Sequence, residues 1–379
     1  DHGTDADITA ILTQVPELLE ENAWEEAVPP RAGTARGGEE EGGKGLAASE
    51  GEVVDLDGDA SGAGDQQTRA GRPDEALDIS GGDTGTDIED KGDSERSAWV
   101  RLEEHEILEF PGPLRSNELL KVLHDIDHLD GYVCGDDEII LPVILRLKEL
   151  KIDLISKYGV GLDKIDLKQA ENHGIEVRNC AGVNSRTVAE HTLSMLLFWA
   201  KAYQSNVVEK GFNSWTRSIS RDIRGLKMVI IGMGNVGSEF ADLSLNLGME
   251  VSYFDPAVSC EKIQRISSLR EISKAEVISI HAPLNKNTHG MINQTLLKDF
   301  QGVILNTSRA SIISEPALID WLNSHKENTL ITDVLYEEPP KPNHWMLNHR
   351  QVVITPHVGS RSFECIERQA NMALDNLGL

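Results

Sequence analysis

The sequence predicts an α/β protein of two doubly wound parallel-sheet domains behind an acidic, disordered N-terminal head, and three observations predict it. First, from Trp99 onward short apolar, β-branched runs alternate with stretches of helical periodicity, the signature of βα repeats and hence of parallel sheets. Second, one such run, Met228 to Ile231, leads into Gly232, Gly234 and Gly237, then the helical stretch SEFADLSLNLG, a second apolar run (Met249 to Phe254) and Asp255. Third, residues 1–97 differ sharply from the rest: 26 Asp+Glu against 7 Lys+Arg put −19 of the net charge of −27 there, with 16 of the 33 glycines and a single aromatic, Trp24.

In that head, GGEEEGGKG, DLDGDASGAGD and SGGDTGTDIEDKGD hold too little apolar surface to offset chain entropy. Ile8 to Val28 is the exception. Ile8, Ile11, Leu12, Val15, Leu18 and Leu19 recur at helical spacing around Pro16, which suits either a short helix that folds on a protein partner or a transient helix without a role. The contrast between the head and the rest of the chain fits a fusion, a regulatory arm or an alternative start. Beyond the head, strands are expected at His105 to Phe110, Gly131 to Gly135, Ile152 to Gly159 and Ile175 to Asn179. Helices are expected at SNELLKVL with Ser116 as N-cap, at Glu138 to Leu150, at Leu162 to Gly174 and, long and apolar, at Val188 to Tyr203.

Composition excludes several classes. A chain this acidic is a poor ligand for nucleic acid or an anionic membrane surface. Cys134, Cys180, Cys260 and Cys365 have no metal or C-x-x-C spacing and read as small buried hydrophobes in a reduced protein, with no metal expected. No signal peptide is visible and the apolar run at Met195 to Ala200 is too short to span a bilayer. The expectation is a soluble, cytoplasmic protein.

The glycine stretch carries the first chemistry. Strand, G-x-G-x-x-G, helix, strand and acid in that order make a dinucleotide-binding βαβ unit. Gly232 allows the tight turn, Gly234 lets a pyrophosphate approach the backbone and Gly237 lets helix and strand pack closely. The helix N-terminus supplies N–H groups and partial positive charge for the phosphates. Asp255 suits the adenosine ribose hydroxyls and repels a 2′-phosphate, favouring NAD over NADP.

A resemblance then covers the chain from about His105 to its end. YGVGLDKIDLKQAENHGIEVRNCAGVNSRTVAEHTLSMLLFWAK (Tyr158 to Lys201), the glycine motif, HAPLNKNTHGMI, NTSRASII, DVLYEEP and TPHVG together resemble the D-isomer-specific 2-hydroxyacid dehydrogenases, the phosphoglycerate dehydrogenase-like branch most of all. The resemblance implies a Rossmann-type NAD-binding domain beside a smaller flavodoxin-like substrate domain. It implies a catalytic set of Arg309, Glu338 and His357. Arg309 follows the apolar strand GVILN, and its planar fork suits a carboxylate. His357 would exchange the hydroxyl proton while Glu338 tunes it. The backbone amides of Val160 and Gly161 would bind substrate carboxylate with Arg309. Met233, Asn235 and Val236 would meet the pyrophosphate through backbone, His281, Ala282 and Pro283 would line the cofactor groove, Thr307 would face the nicotinamide and Asp333 would bond its carboxamide. Asn184 is either a hinge residue or a plain helix cap.

The implied domains are a substrate domain at 98–183, an NAD domain at 184–357 and a terminal helix at 358–379 that returns to the substrate domain. Three departures stand out. Ala310 replaces the glycine usual after the arginine and would be strained if φ there is positive. No strand and helix precede HEILEF, so the first βα unit of the substrate domain is expected to be missing, and the chain stops soon after its last helix. The implied activity is reversible hydride transfer between nicotinamide and C2 of a D-2-hydroxy acid, phosphoglycerate- or hydroxypyruvate-like, in a homodimer built on the long helix. The alternatives are an NAD-sensing, corepressor-like scaffold and a catalytically dead fusion. Selectivity for the C3 substituent is expected from the loop Cys134 to Asp137 and from Arg or Lys side chains.

Overall fold

Apolar runs bounded by turns become strands, and the computed structural model, which describes residues 9–13, 106–110, 112–207, 215 and 217–379, arranges them in two parallel sheets. The smaller holds β1 (Thr9–Thr13), β2 (Glu106–Phe110), β3 (Gly131–Cys134), β4 (Leu154–Lys157) and β5 (Glu176–Asn179) in the order β2-β1-β3-β4-β5. That is the flavodoxin-type order, which reverses between its first and third strands. Helices α1 (Ser116–His124), α2 (Leu141–Glu149) and α3 (Leu167–Asn172) connect the strands.

The position expected to be empty is filled. Thr9–Thr13 lies in the middle of this sheet, pairing Ile11 with Leu108 of β2 on one side and with Tyr132 of β3 on the other. This corrects two expectations: the missing first strand is present, and the start of the amphipathic stretch is strand, not helix. A short apolar run has no periodicity that separates the two states, and here sheet pairing decides. The remainder of Ile8 to Val28 and of the head at 1–97, with residues 98–105, lies outside the described residues. A second correction is local. Arg115, not Ser116, is the N-cap of α1, because the Ser116 amide and hydroxyl both donate to Glu138 Oε2, at 3.1 and 2.6 Å.

The larger sheet holds β6 (Lys227–Ile231), β7 (Glu250–Phe254), β8 (Gln264–Arg265), β9 (Val277–Ile280), β10 (Val303–Asn306), β11 (Thr329–Thr332) and β12 (Val352–Ile354), in the order β12-β11-β10-β9-β6-β7-β8. It is the Rossmann order with one strand added, reversing between β6 and β9. Residues of β9 and β10 are buried on both faces, as a sheet covered by helices requires. Helix α4 (Ser185–Ala200) starts a turn earlier than its apolar run and packs on α5 (Asn235–Asn246); α6 (Glu315–Ser324) covers the other face. The last helix, α7 (Phe363–Leu377), returns to the smaller sheet, where the Ala373 carbonyl accepts the Ser156 hydroxyl at 2.7 Å. Among the described residues no helix is long and apolar enough to cross a membrane, no metal cluster occurs and the four cysteines are unpaired.

Candidate active site

The glycine turn has the shape its spacing demands. Gly232 follows β6 at φ +94°, and a Cβ there would lie 2.5 Å from the Ala282 backbone. A Cβ on Gly237 would lie 2.0 Å from the Gly232 carbonyl, so strand and helix meet only because both residues lack one. Gly234, the N-cap of α5, is the opposite case: a Cβ would meet nothing within 4 Å. The protein leaves that side open, and the amides of Asn235 and Val236 in the first turn have no intrahelical partner by helix geometry. Asp255 follows β7 and closes the motif. Its Oδ2 accepts the Met233 amide at 2.8 Å and its Oδ1 the Ala257 and Val258 amides at 2.8 and 2.9 Å. Burial works against the carboxylate, but these three bonds outweigh it and hold the carboxyl below its usual range. The Met233 N–H is thus committed to Asp255 and not free for a phosphate.

A cleft of about 1320 Å³ opens beside this turn. Of the residues singled out from sequence it is lined by Val160, Gly161, Asn184, Asn235, Val236, His281, Ala282, Pro283, Thr307, Arg309, Asp333, Glu338 and His357. Gly232, Met233, Gly234, Gly237 and Asp255 are not among its lining residues, and Gly234 is exposed beside it. Asn184 is the N-cap of α4 without a side-chain capping bond. The buried Ser185 hydroxyl next to it lines the cleft with no hydrogen-bond partner among the described residues. A nucleotide cofactor fits this arrangement: an open glycine corner, a helix N-terminus and an orphaned hydroxyl all await polar partners.

Arg309 leaves the end of β10 as the N-cap of a short 3-10 turn, Ala310–Ile312. Ala310 is not in the left-handed region, so the strain expected there is absent. The guanidinium is gripped from one side by Asp163, with Nε to Oδ1 at 3.1 Å and Nη2 to Oδ1 at 2.9 Å, while Nη1 donates to the Ser308 carbonyl at 2.9 Å. A guanidinium has five N–H donors in a fixed plane. Those bonds occupy its flanks and leave the end edge, one N–H on each terminal nitrogen, for another planar oxygen pair. Burial disfavours the Arg309 charge, but the Asp163 contacts reverse the effect and raise its pKa. Gly161 makes the fit possible: a Cβ there would sit 2.0 Å from Arg309 Nη2.

His357 follows β12 in the left-handed region, φ +56°. Its Nδ1 is 2.8 Å from Glu338 Oε2, and the other oxygen, Oε1, accepts the Leu335 amide at 2.7 Å. The bond to Glu338 raises the imidazole above its ordinary pKa, opposed by burial and by the Arg309 charge. It also assigns the Nδ1 proton, leaving Nε2 as the ring nitrogen not held by Glu338. The unusual backbone at His357 is pinned by Asp333. Its Oδ1 accepts the Val358 amide at 2.9 Å and the Thr355 hydroxyl, and its Oδ2 accepts the Gly359 amide at 2.7 Å. His281 is a neutral imidazole: desolvation takes it down to about 3, with Ser279 Oγ 2.8 Å from Nε2.

Sequence reading singled out none of three charged residues by name, although Asp136 falls in the loop Cys134 to Asp137 that it did mark. Asp163 lies inside GVGLDKID, two positions past Gly161, and could have been flagged by that neighbourhood. Asp136 and Lys157 pair at 2.8 Å among the cleft-lining residues. Burial raises the Asp136 carboxyl, but Lys157, with His357 and Arg309, overcomes this and holds it at about 2.

Comparison with known proteins agrees with this geometry. Residues 193–359 match the family model described as D-isomer specific 2-hydroxyacid dehydrogenase, NAD binding domain. The D-3-phosphoglycerate dehydrogenase of Bacillus subtilis is 33% identical over 236 residues, 60% of this chain and 44% of that protein, so the chain spans less than half of that relative's length. The hydroxypyruvate reductase of Thermotoga maritima is 31% identical over 266 residues, 67% of this chain and 85% of that protein. The solved structure of NAD+-bound 3-phosphoglycerate dehydrogenase from Entamoeba histolytica superposes with a TM-score of 0.61 at 25% identity, covering 72% of this chain and 84% of that one. With its glycine cradle, its arginine and its histidine on one cleft, the chain belongs to the D-isomer specific 2-hydroxyacid dehydrogenase family and carries that family's NAD-binding domain.

Proposed function

We propose that the protein is an NAD-dependent oxidoreductase that interconverts a D-2-hydroxy acid and its 2-oxo acid. The observation that supports it most is that a carboxylate-gripping Arg309 and a Glu338-backed His357 open onto one cleft beside the glycine cradle. Gly234 and the amides of Asn235 and Val236 hold the pyrophosphate, the free acceptor position on Asp255 Oδ2 takes a ribose hydroxyl, and Ala282, Pro283 and Thr307 line the nicotinamide side. Bound there, NAD supplies or accepts the hydride at nicotinamide C4.

The chain's own groups do the rest. The end edge of Arg309, with the amides of Val160 and Gly161, holds the substrate carboxylate and polarises the adjacent carbonyl. Protonated His357 donates from Nε2 to the oxygen that becomes the hydroxyl, and takes that proton back in the reverse direction. Glu338 stabilises the imidazolium, which is why the pKa rises. Asp163 keeps the arginine's end edge facing the cleft. Asp333 holds the His357 loop and keeps one acceptor position on Oδ2 for the carboxamide. A homodimer would be built on the long helix α4, and the four unpaired thiols suit a reducing, cytoplasmic setting.

NADH oxidation with glyoxylate, hydroxypyruvate and 2-oxoglutarate tests the proposal. Turnover that disappears in His357→Gln, with NADH affinity by fluorescence kept, is the expected result. Intact NADH binding without turnover of any oxo acid would overturn it and favour an NAD-sensing scaffold.

A further inference from the structure

One histidine close to the cleft has no part in the hydride-transfer scheme. His191 lies in the second turn of α4, and the helix carries it against Asp333 and the loop that follows β12. Its Nε2 is 3.1 Å from Thr355 Oγ1 and 3.5 Å from Asp333 Oδ1. The Thr355 hydroxyl is itself 2.5 Å from the same Oδ1. Ring and carboxylate both border Gly359, where a Cβ would lie 2.9 Å from Asp333 Oδ2 and 3.5 Å from His191 Cδ2. Asp333 lines the cleft, while His191 and Thr355 are not among the lining residues and act from behind it.

The protons of this group can be assigned. Burial works against the Asp333 charge, but the bonds from His191, Thr355 and the Val358 and Gly359 amides outweigh it and hold the carboxyl below its usual range. An ionised carboxylate only accepts, and a hydroxyl has one proton to give. The Thr355 proton therefore goes to Oδ1, its oxygen accepts from His191, and the imidazole carries a proton on Nε2. Oδ1 also accepts the Val358 amide at 2.9 Å. Oδ2 accepts the Gly359 amide at 2.7 Å, which uses one of its two acceptor positions. A carboxylate tied at both oxygens cannot turn without breaking these bonds, so the remaining position on Oδ2 has a fixed direction.

We propose that His191 is a positioning residue for hydride transfer: through Thr355 it locks the Asp333 carboxylate so that Oδ2 receives the nicotinamide carboxamide N–H and the ring is held in one pose. The proposal rests on the dehydrogenase reading, in which Asp333 bonds that carboxamide. His191 touches neither cofactor nor substrate, so its effect depends on a cofactor that has the N–H to give. The experiment compares kcat with NADH and with the reduced 3-acetylpyridine analogue, whose methyl ketone lacks that N–H. The oxo acid is glyoxylate or hydroxypyruvate, whichever the wild type reduces faster, and the variants are His191→Leu and His191→Gln. Leucine fills the space without a donor, and glutamine restores an N–H near the Nε2 position. With NADH, His191→Leu should lose about tenfold or more in kcat, and with the analogue less than about threefold. His191→Gln should return toward the wild type. Thr355→Val, which removes the intervening hydroxyl, should show the same cofactor-selective loss and decides the matter if His191→Leu does not fold. An unchanged kcat with NADH, an equal loss with both cofactors, or no recovery in His191→Gln overturns the proposal. Fluorescence titration with NADH and with the analogue reads the same preference without turnover. A preference for NADH that disappears in His191→Leu, in a protein that reduces no oxo acid, sinks the dehydrogenase reading and leaves the role of His191 at the carboxamide standing.

Discussion

Gly161→Ala tests the architecture of the carboxylate site most sharply. The new Cβ would lie 2.0 Å from Arg309 Nη2 and 3.0 Å from Asp163 Oδ1, where ordinary contact begins at 3.4 Å. Going from 2.0 to 3.4 Å requires the guanidinium tip to retreat by about 1.4 Å. Gly161 is not in the left-handed region, so alanine meets no backbone strain, and the obstacle is the end of a flexible side chain. The fold should therefore tolerate the change at a cost of about 1 kcal/mol, a fall in Tm of about 2–4 °C for a domain of this size. Function should not tolerate it. A misplacement of roughly 1 Å in a positioning group costs about 10²-fold, and loss of a charge-stabilising donor costs about 10²–10³-fold. Steady-state NADH oxidation should then show kcat/KM for hydroxypyruvate reduced by about 10²-fold or more, with NADH affinity unchanged because the glycine cradle is untouched. Wild-type kcat/KM in a folded Gly161→Ala protein would refute the placement of Arg309 over Gly161 and its role with it.

Other contacts carry three further expected outcomes. Glu338→Gln removes the main cause of the raised His357 pKa, so the fall in reductive kcat/KM with rising pH should move to lower pH; an unmoved profile would separate Glu338 from the histidine's titration. Stability shifts in the same sense. A raised folded-state pKa contributes stability that is complete below the unfolded value of about 6.5 and is lost as pH rises through the higher folded value, so the wild-type advantage over Glu338→Gln in Tm should shrink above neutrality. Gly237→Ala presses a Cβ to 2.0 Å from a backbone carbonyl, which cannot swing away, and should cost about 1–3 kcal/mol together with NADH affinity, read by thermal melts and fluorescence titration. Ile11→Pro removes a ladder donor from a strand paired on both sides, where proline is not tolerated, and should lower Tm clearly, so an unchanged Tm would remove Thr9–Thr13 from the sheet.

How much was legible in the sequence depended on how far apart in the chain the interacting parts lie. The dinucleotide unit spans Lys227 to Asp255, and much of its logic is local: Gly237 answers the Gly232 carbonyl, while Gly232 answers the Ala282 backbone just past β9 and Gly234 meets no contact at all. Arg309, Glu338 and His357 were legible through motifs that resemble a known family. Strand and helix boundaries moved by a few residues where polar flanks, such as Lys227 and Ser185, joined elements their apolar runs only outlined.

What the sequence by itself determined, then, is the alternation of strands and helices and the glycine turn, because periodicity and local spacing encode them; the three catalytic candidates came from the resemblance to a known family. Tertiary structure alone decided three things. It brought Thr9–Thr13 between β2 and β3 across more than ninety residues, although TAILT has no feature of its own that names its neighbours. It laid Asp163 against Arg309, 146 positions away, and paired Asp136 with Lys157 among the cleft-lining residues. It also committed Asp255 and Asp333 to backbone amides before any ligand is considered. Long-range pairing leaves no periodic trace in a chain: a carboxylate in a loop reads the same whether it faces water, an amide or an arginine, and only the folded geometry distinguishes them.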